Sequence, residues 1–233
     1  MTDTSRILQL LRQTPLFRGL MPAELEICAR QFTEVRFAPG ETIFLRGDAG
    51  TQLFLVSEGR VKLSIMAEDG RELSVRHALE GALLGEIAVL DGGERSADAV
   101  AMTPVHAFAI RRDRFTDLTA SYPRLSHGII AFLCQRVRET TDQLEGIALH
   151  SIEERVARFL LVSLAGRTAP PGEWIAAEVV FSQTELAQLL GASRPKVNAA
   201  LGTLEKAGAI RRGADRLLCD PGKLARLSGM ADG

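Results

Sequence analysis

Cysteine is scarce: three residues in 233, Cys28, Cys134 and Cys219, roughly a hundred positions apart. That spacing fits neither a zinc clip nor a redox pair, and three thiols make no disulfide framework. They are expected as reduced, mostly buried apolar residues. Long hydrophobic runs are also missing. Although the mean hydropathy is +0.07, no stretch approaches the ~18–20 apolar residues of a spanning helix. The opening MTDTSRILQL carries Asp3 and Arg6 and lacks the apolar core and cleavage site of a secretory signal. A cytoplasmic protein without a membrane partner is expected. Neither sign of charge dominates, the net being -1, and 21 Gly and 9 Pro are too few for a collagenous or low-complexity chain. The chain shows no clustered metal triad, no nucleophile elbow and no P-loop, so a binding protein rather than an enzyme is expected, with no covalent cofactor.

What is present is enough chain for two modest domains. A helical start (Arg6 to Gln13, then Pro22 to Phe32) gives way at Val35 to short β-like runs that continue to about Arg111. Glycines punctuate those runs at 40, 47, 50, 59, 70, 81, 85, 92 and 93. This pattern predicts a β-roll of jelly-roll type. From Arg124 to Leu149 the chain reads as one long helix with a narrow apolar stripe, Ile129, Leu133, Val137, Thr140, Leu144 and Ile147. Its steps of three and four approximate a coiled-coil seam, which favours pairing with a copy of itself over packing as an ordinary amphipathic helix on the β domain. Capping boxes at Ser151–Glu154 and Ser182–Glu185 open two further helices. The expected fold class is α+β: a β-roll domain at 1–123, a dimerisation helix and hinge at 124–150, and a winged helix-turn-helix at 151–233.

The stretch SQTELAQLLGASRPKVNAALGTLEKAGAI carries the sharpest local signal. Helices at 183–190 and 193–206 are joined by a turn at Gly191, with Ala187 small at their crossing and Leu186, Leu190, Val197, Leu201 and Leu204 as shared core. This is a helix-turn-helix, whose second helix enters the major groove of duplex DNA. Arg194, Pro195, Lys196 and Asn198 lie in its first turns, and an Arg fork matches guanine O6 and N7. Ser182, Thr184 and Ser193 sit at helix starts, where hydroxyls and free N–H groups suit phosphates. Arg211, Arg212 and Arg216 flank Gly213 in a two-stranded wing, as candidate backbone contacts. Between Ser182 and Arg226, 8 basic residues face 4 acidic ones, a local surplus in keeping with a phosphate-binding surface.

A second constellation is LLGEIAVLDGGERSADAVA. Gly85 lets backbone N–H groups approach a phosphate, Arg95 offers a charge-assisted bond to an anionic oxygen, and Ser96 adds a hydroxyl. Glu86 can accept from sugar hydroxyls. On the residues alone, a ribose phosphate site and a purely structural Glu86–Arg95 salt bridge stand about even.

The chain resembles the Crp–Fnr family of bacterial transcription regulators, most closely its cyclic-AMP receptor branch, over roughly Leu16 to Leu218. GEIAVLDGGERSA resembles the phosphate-binding cassette of cyclic-nucleotide domains. The resemblance implies Arg95 and Ser96 on the cyclic phosphate, Glu86 on the ribose 2′-hydroxyl, and backbone help from Gly85, Ile87 and Ala97. It places Arg136, Thr140 and Thr141 at the nucleotide, one Thr coming from a partner subunit, and Leu63 and Val75 against the base. It implies an effector, cyclic AMP or cyclic GMP, a homodimer formed through the 124–150 helix, a palindromic DNA operator, and RNA polymerase as a further partner. Two features depart from the pattern. Pro195-Lys196 and Ala199 stand where the recognition helix often carries Glu and a second Arg, and the cassette is one residue shorter between Glu and Arg. A haem or gas sensor, with His77 or His106 as axial ligand, and a regulator acting without ligand are the alternatives. The scarcity of N-terminal cysteines speaks against an iron–sulfur cluster.

Overall fold

The computed structural model describes residues 3–68, 72–164, 174–177, 182–212 and 216–229, in two compact units that part between Glu139 and Thr140. In the first unit, α1 (Asp3–Gln13) and α2 (Pro22–Ala29) precede the strands β1 (Thr33–Phe37), β2 (Thr42–Phe44), β3 (Gln52–Glu58), β4 (Val61–Met66), β5 (Glu72–Ala78) and β6 (Leu83–Leu84). A short helix, α3 (Glu86–Asp91), comes before β7 (Asp98–Ala101) and β8 (Val105–Arg111), and α4 (Arg112–Ser121) and α5 (Pro123–Leu149) follow. The strands form two antiparallel sheets, ordered β1-β8-β3-β6 and β2-β7-β4-β5.

The central strands of the first sheet are buried on both faces. Phe54, Val56, Ala107 and Ala109 point between the sheets, where they join Phe44, Val61, Leu63, Ala99 and Ala101 in one core. Leu53, Leu55, Phe108 and Ile110 point the other way, into a second core with Leu10, Leu11, Phe17, Phe115 and Leu125. That double duty is why the sequence LFLV in β3 is a continuous apolar run, where a half-solvated strand would alternate.

Helix α5 begins inside this unit. Leu125, Ile129 and Phe132 are buried in the helix-covered core, with Leu133 packed against it. A second stripe faces solvent: Ile130, Cys134, Val137, Thr141, Leu144 and Ala148 are all exposed, at the four-three spacing of a heptad seam. The seam read from sequence is therefore corrected at its start. Ile129 and Leu133 seal the roll, and the outward stripe is carried there by Ile130 and Cys134. Cys28 and Cys219 are buried free thiols whose pKa is pushed up to about 11, mainly by that burial, while Cys134 is exposed.

The second unit contains α6 (Ile152–Ser163), β9 (Ile175–Ala177), α7 (Gln183–Leu189), α8 (Arg194–Lys206), β10 (Ile210–Arg212), β11 (Leu217–Cys219) and α9 (Pro221–Leu227). Its strands pair antiparallel in the order β10-β11-β9. Both expected capping boxes close: the Ser151 N–H donates to Glu154 at 2.7 Å and that of Ser182 to Glu185 at 2.8 Å, each hydroxyl accepting in return. Val156, Leu160, Leu186, Val197, Leu201 and Leu204 make the core. The expected loop from 166 to 173 and Gly213 lie outside the described residues. Among the described residues, no helix is long and apolar enough to cross a membrane.

Candidate functional site

Gly85 ends β6 in the left-handed region, at φ 73°, a conformation that costs an L side chain about 1–2 kcal/mol. A Cβ here would also run into the Arg95 guanidinium, so glycine lets the cassette close on its own arginine. Arg95 is 5% exposed. It donates from Nη1 to the Gly85 carbonyl at 2.8 Å and from Nη2 to that of Gln52 at 2.6 Å, and it stacks 4.3 Å from the Phe44 ring centroid. Its Nε is buried with no hydrogen-bond partner. Burial lowers its pKa, against the favourable charges of Asp48 and Glu86. A desolvated guanidinium held by two neutral carbonyls, with one N–H unsatisfied, fits an anionic oxygen. Ser96 beside it is exposed, Ala97 is buried, and Ile87 is exposed on α3.

Glu86 is 5% exposed. Its nearest cation is Arg136 of α5, whose Nε lies 3.9 Å from Oε1. The structural Glu86–Arg95 salt bridge is thus replaced by two separate arrangements, Arg95 on carbonyls and Glu86 towards Arg136. Arg136 also pairs with Glu139 at 2.6 Å and lies over the Phe132 ring at 4.9 Å. Thr140 and Thr141 follow on the same helix, one turn further, and both are exposed. Leu63 faces the inter-sheet core at 8% exposure. Its register partner on β5 is Arg76, and the pairing then jumps to Ser64 with Ser74. Val75, expected beside Leu63, is the extra residue of that β-bulge and is only half-buried.

In the second unit, Gly191 turns the chain at φ 56° between α7 and α8. Arg194, Pro195 and Lys196 are exposed at the start of α8, whereas Val197, Ala200, Leu201 and Leu204 are buried. Asn198 is half-buried, and its Oδ1 has no hydrogen-bond partner. Ser193 is an extended N-cap that makes no side-chain capping bond, Thr184 is exposed, and the Ser182 hydroxyl is engaged by its capping box. On the wing, Arg211 stacks 4.2 Å over Trp174, and Arg212 reaches Glu205 at 3.4 Å.

Known proteins carry both halves of this arrangement. Residues 34–122 match the model of the cyclic nucleotide-binding domain, and residues 154–227 that of the Crp-like helix-turn-helix domain. The CRP-like cAMP-activated global transcriptional regulator of Mycobacterium tuberculosis is 31% identical over 219 residues, covering 94% of this chain and 98% of that protein. The chain belongs to the Crp family of transcription regulators. The cyclic AMP receptor protein of Thermus thermophilus is 33% identical over 203 residues, covering 87% of this chain and 91% of that protein. The crystal structure of the Thermus thermophilus catabolite activator protein superposes with a TM-score of 0.54 at 31% identity, over 94% of this chain and all of that one. As a Crp-family member the chain is a DNA-binding regulator with a cyclic-nucleotide domain, and not an enzyme.

Three participants in the Crp-type cassette escaped the sequence reading. Gln52 and Phe44 hold Arg95 from strands distant in sequence, which no local motif encodes. Arg76 comes opposite Leu63 because a β-bulge inserts Val75 between the Ser74 and Arg76 pairings, which strand alternation does not encode.

Proposed function

We propose that this protein is a homodimeric regulator whose operator binding is controlled by a cyclic purine mononucleotide, cyclic AMP or cyclic GMP. The observation that carries the reading is Arg95: a buried guanidinium, held on two carbonyls beside Gly85, with an unsatisfied N–H. Charge supports it: the guanidinium groups of Arg76, Arg95 and Arg136 all act on Glu86.

In this reading the phosphate takes Arg95 and Ser96, the ribose 2′-hydroxyl donates to Glu86, and α5 brings Arg136, Thr140 and Thr141 towards the base. The exposed stripe of α5 pairs two protomers, and a twofold dimer reads a palindromic operator with half-sites about one helical turn apart. RNA polymerase is the partner proposed for the DNA-bound state. The test is fluorescence anisotropy of a labelled operator while cyclic AMP or cyclic GMP is titrated. The affinity for operator is expected to change severalfold at saturation with at least one of them. No change with either would refute control by a cyclic nucleotide.

A further inference from the structure

Arg76 has no place in the phosphate and ribose contacts above, yet the fold half-buries it. It lies opposite Leu63 on β5 and two residues from the fully buried Ala78, on the same face. Its Nη2 donates to the Leu83 carbonyl at 3.0 Å, two residues before the Gly85 carbonyl that receives Arg95. The two arginines therefore grip the same short stretch of chain, Leu83 to Gly85. Glu86 acts on both charges, and Arg136 and Glu139 act on Arg76 from α5. Burial, and then the like charge of Arg136, pull its pKa down to about 10, so it remains a cation at neutral pH. A guanidinium has five N–H donors and no acceptor, and the bond to Leu83 uses one.

We propose that Arg76 selects the base of the effector, and that it selects guanine; this rests on the cyclic-nucleotide reading above. The base-contacting Leu63 and Arg76 are register partners, so a base lying on Leu63 meets the Arg76 side chain next to it. Guanine presents two acceptors on one edge, O6 and N7, which match the Arg fork. Adenine presents N7 beside the N6 amino group, so a donor would face a donor. Glu139, the nearby acceptor that would welcome an adenine amino group, is already engaged by Gln135 at 2.9 Å and Arg136 at 2.6 Å. Burial sharpens the choice, because an unmatched polar pair costs more in a desolvated site.

The test is calorimetric titration of the full-length protein with cyclic GMP, cyclic AMP and cyclic IMP, the last keeping O6 and N7 but lacking the 2-amino group. Cyclic GMP should bind at least about tenfold tighter than cyclic AMP, and cyclic IMP should follow cyclic GMP. In Arg76→Leu and Arg76→Lys, each checked for folding by circular dichroism, the ratio should collapse to within about threefold, since neither side chain has the fork. A 7-deaza analogue of cyclic GMP, binding several times more weakly than cyclic GMP to the unaltered protein, would support the same contact without any mutation. A preference for cyclic AMP, an unchanged ratio in both variants, or cyclic IMP behaving like cyclic AMP would each overturn the role of Arg76 while leaving the nucleotide site standing. Failure of every nucleotide to bind would overturn both.

Discussion

Arg95 is expected to dominate nucleotide binding, because it is 5% exposed and its Nε has no hydrogen-bond partner. Arg95→Ala should weaken binding of either cyclic nucleotide by more than about tenfold, on the order of 2–3 kcal/mol for a desolvated charge-assisted bond. Calorimetry and a melting curve together separate this from misfolding; undiminished affinity in a folded variant would return Arg95 to a structural role. Gly85→Ala should act differently. It strains a backbone at φ 73° and displaces Arg95, so the melting temperature and the nucleotide affinity should fall together, the strain alone being about 1–2 kcal/mol. At this scale the sequence is legible where chemistry is local. Gly85, Glu86 and Arg95 lie within one short segment and announce themselves, whereas Gln52, Phe44 and Arg76 reach the site through strand pairing and a bulge.

At the level of elements, helix α5 carries two apolar faces. Its Leu125–Ile129–Phe132 face closes the roll, and its second stripe is exposed, where the proposed dimer would pair. Val137→Glu and Leu144→Glu should each raise the dimer dissociation constant by at least about a hundredfold through like charges meeting across a twofold seam. Sedimentation equilibrium reads this directly, and a monomeric wild type at micromolar concentration would contradict the seam. On α8, Arg194→Ala should cost ~1–3 kcal/mol per half-site and relax preference at one base pair. Arg211→Ala should weaken all operators alike and flatten the salt dependence by about one unit for each phosphate that a subunit no longer neutralises. Binding to single-base operator variants at two salt concentrations distinguishes the two patterns. The long helix, the capping boxes and the helix-turn-helix are readable because each rests on interactions within a few residues. Helix α4 is not, since among its residues only Phe115 and Leu118 are buried and they draw no clear stripe. Helix α9 is short, though Asp220 capping the Lys223 N–H at 3.0 Å before Pro221 is a start signal in plain view. The misplaced start of the seam has the same origin: periodicity gives a stripe its spacing but not which of two partners it faces.

For the whole molecule, the proposed control by population shift would make the coupling reciprocal: if nucleotide tightens operator binding by some factor, operator must tighten nucleotide binding by the same factor. Titration of nucleotide with and without saturating operator checks this, and equal affinities beside a nucleotide-dependent operator affinity would break the thermodynamic cycle. One feature of α5 carries a further consequence. From Val137 to Glu145, within a single protomer, every residue but Gln143 is exposed, so this stretch buries little apolar surface of its own. A helical stretch without a packed face is marginal in water. In dilute solution its backbone amides should exchange with deuterium far faster than those around Ile129, and they should slow as protein concentration rises. The responsiveness of the proposed dimer would then depend on how many copies the cell keeps, because a segment that orders only on pairing would be ordered only above a threshold concentration.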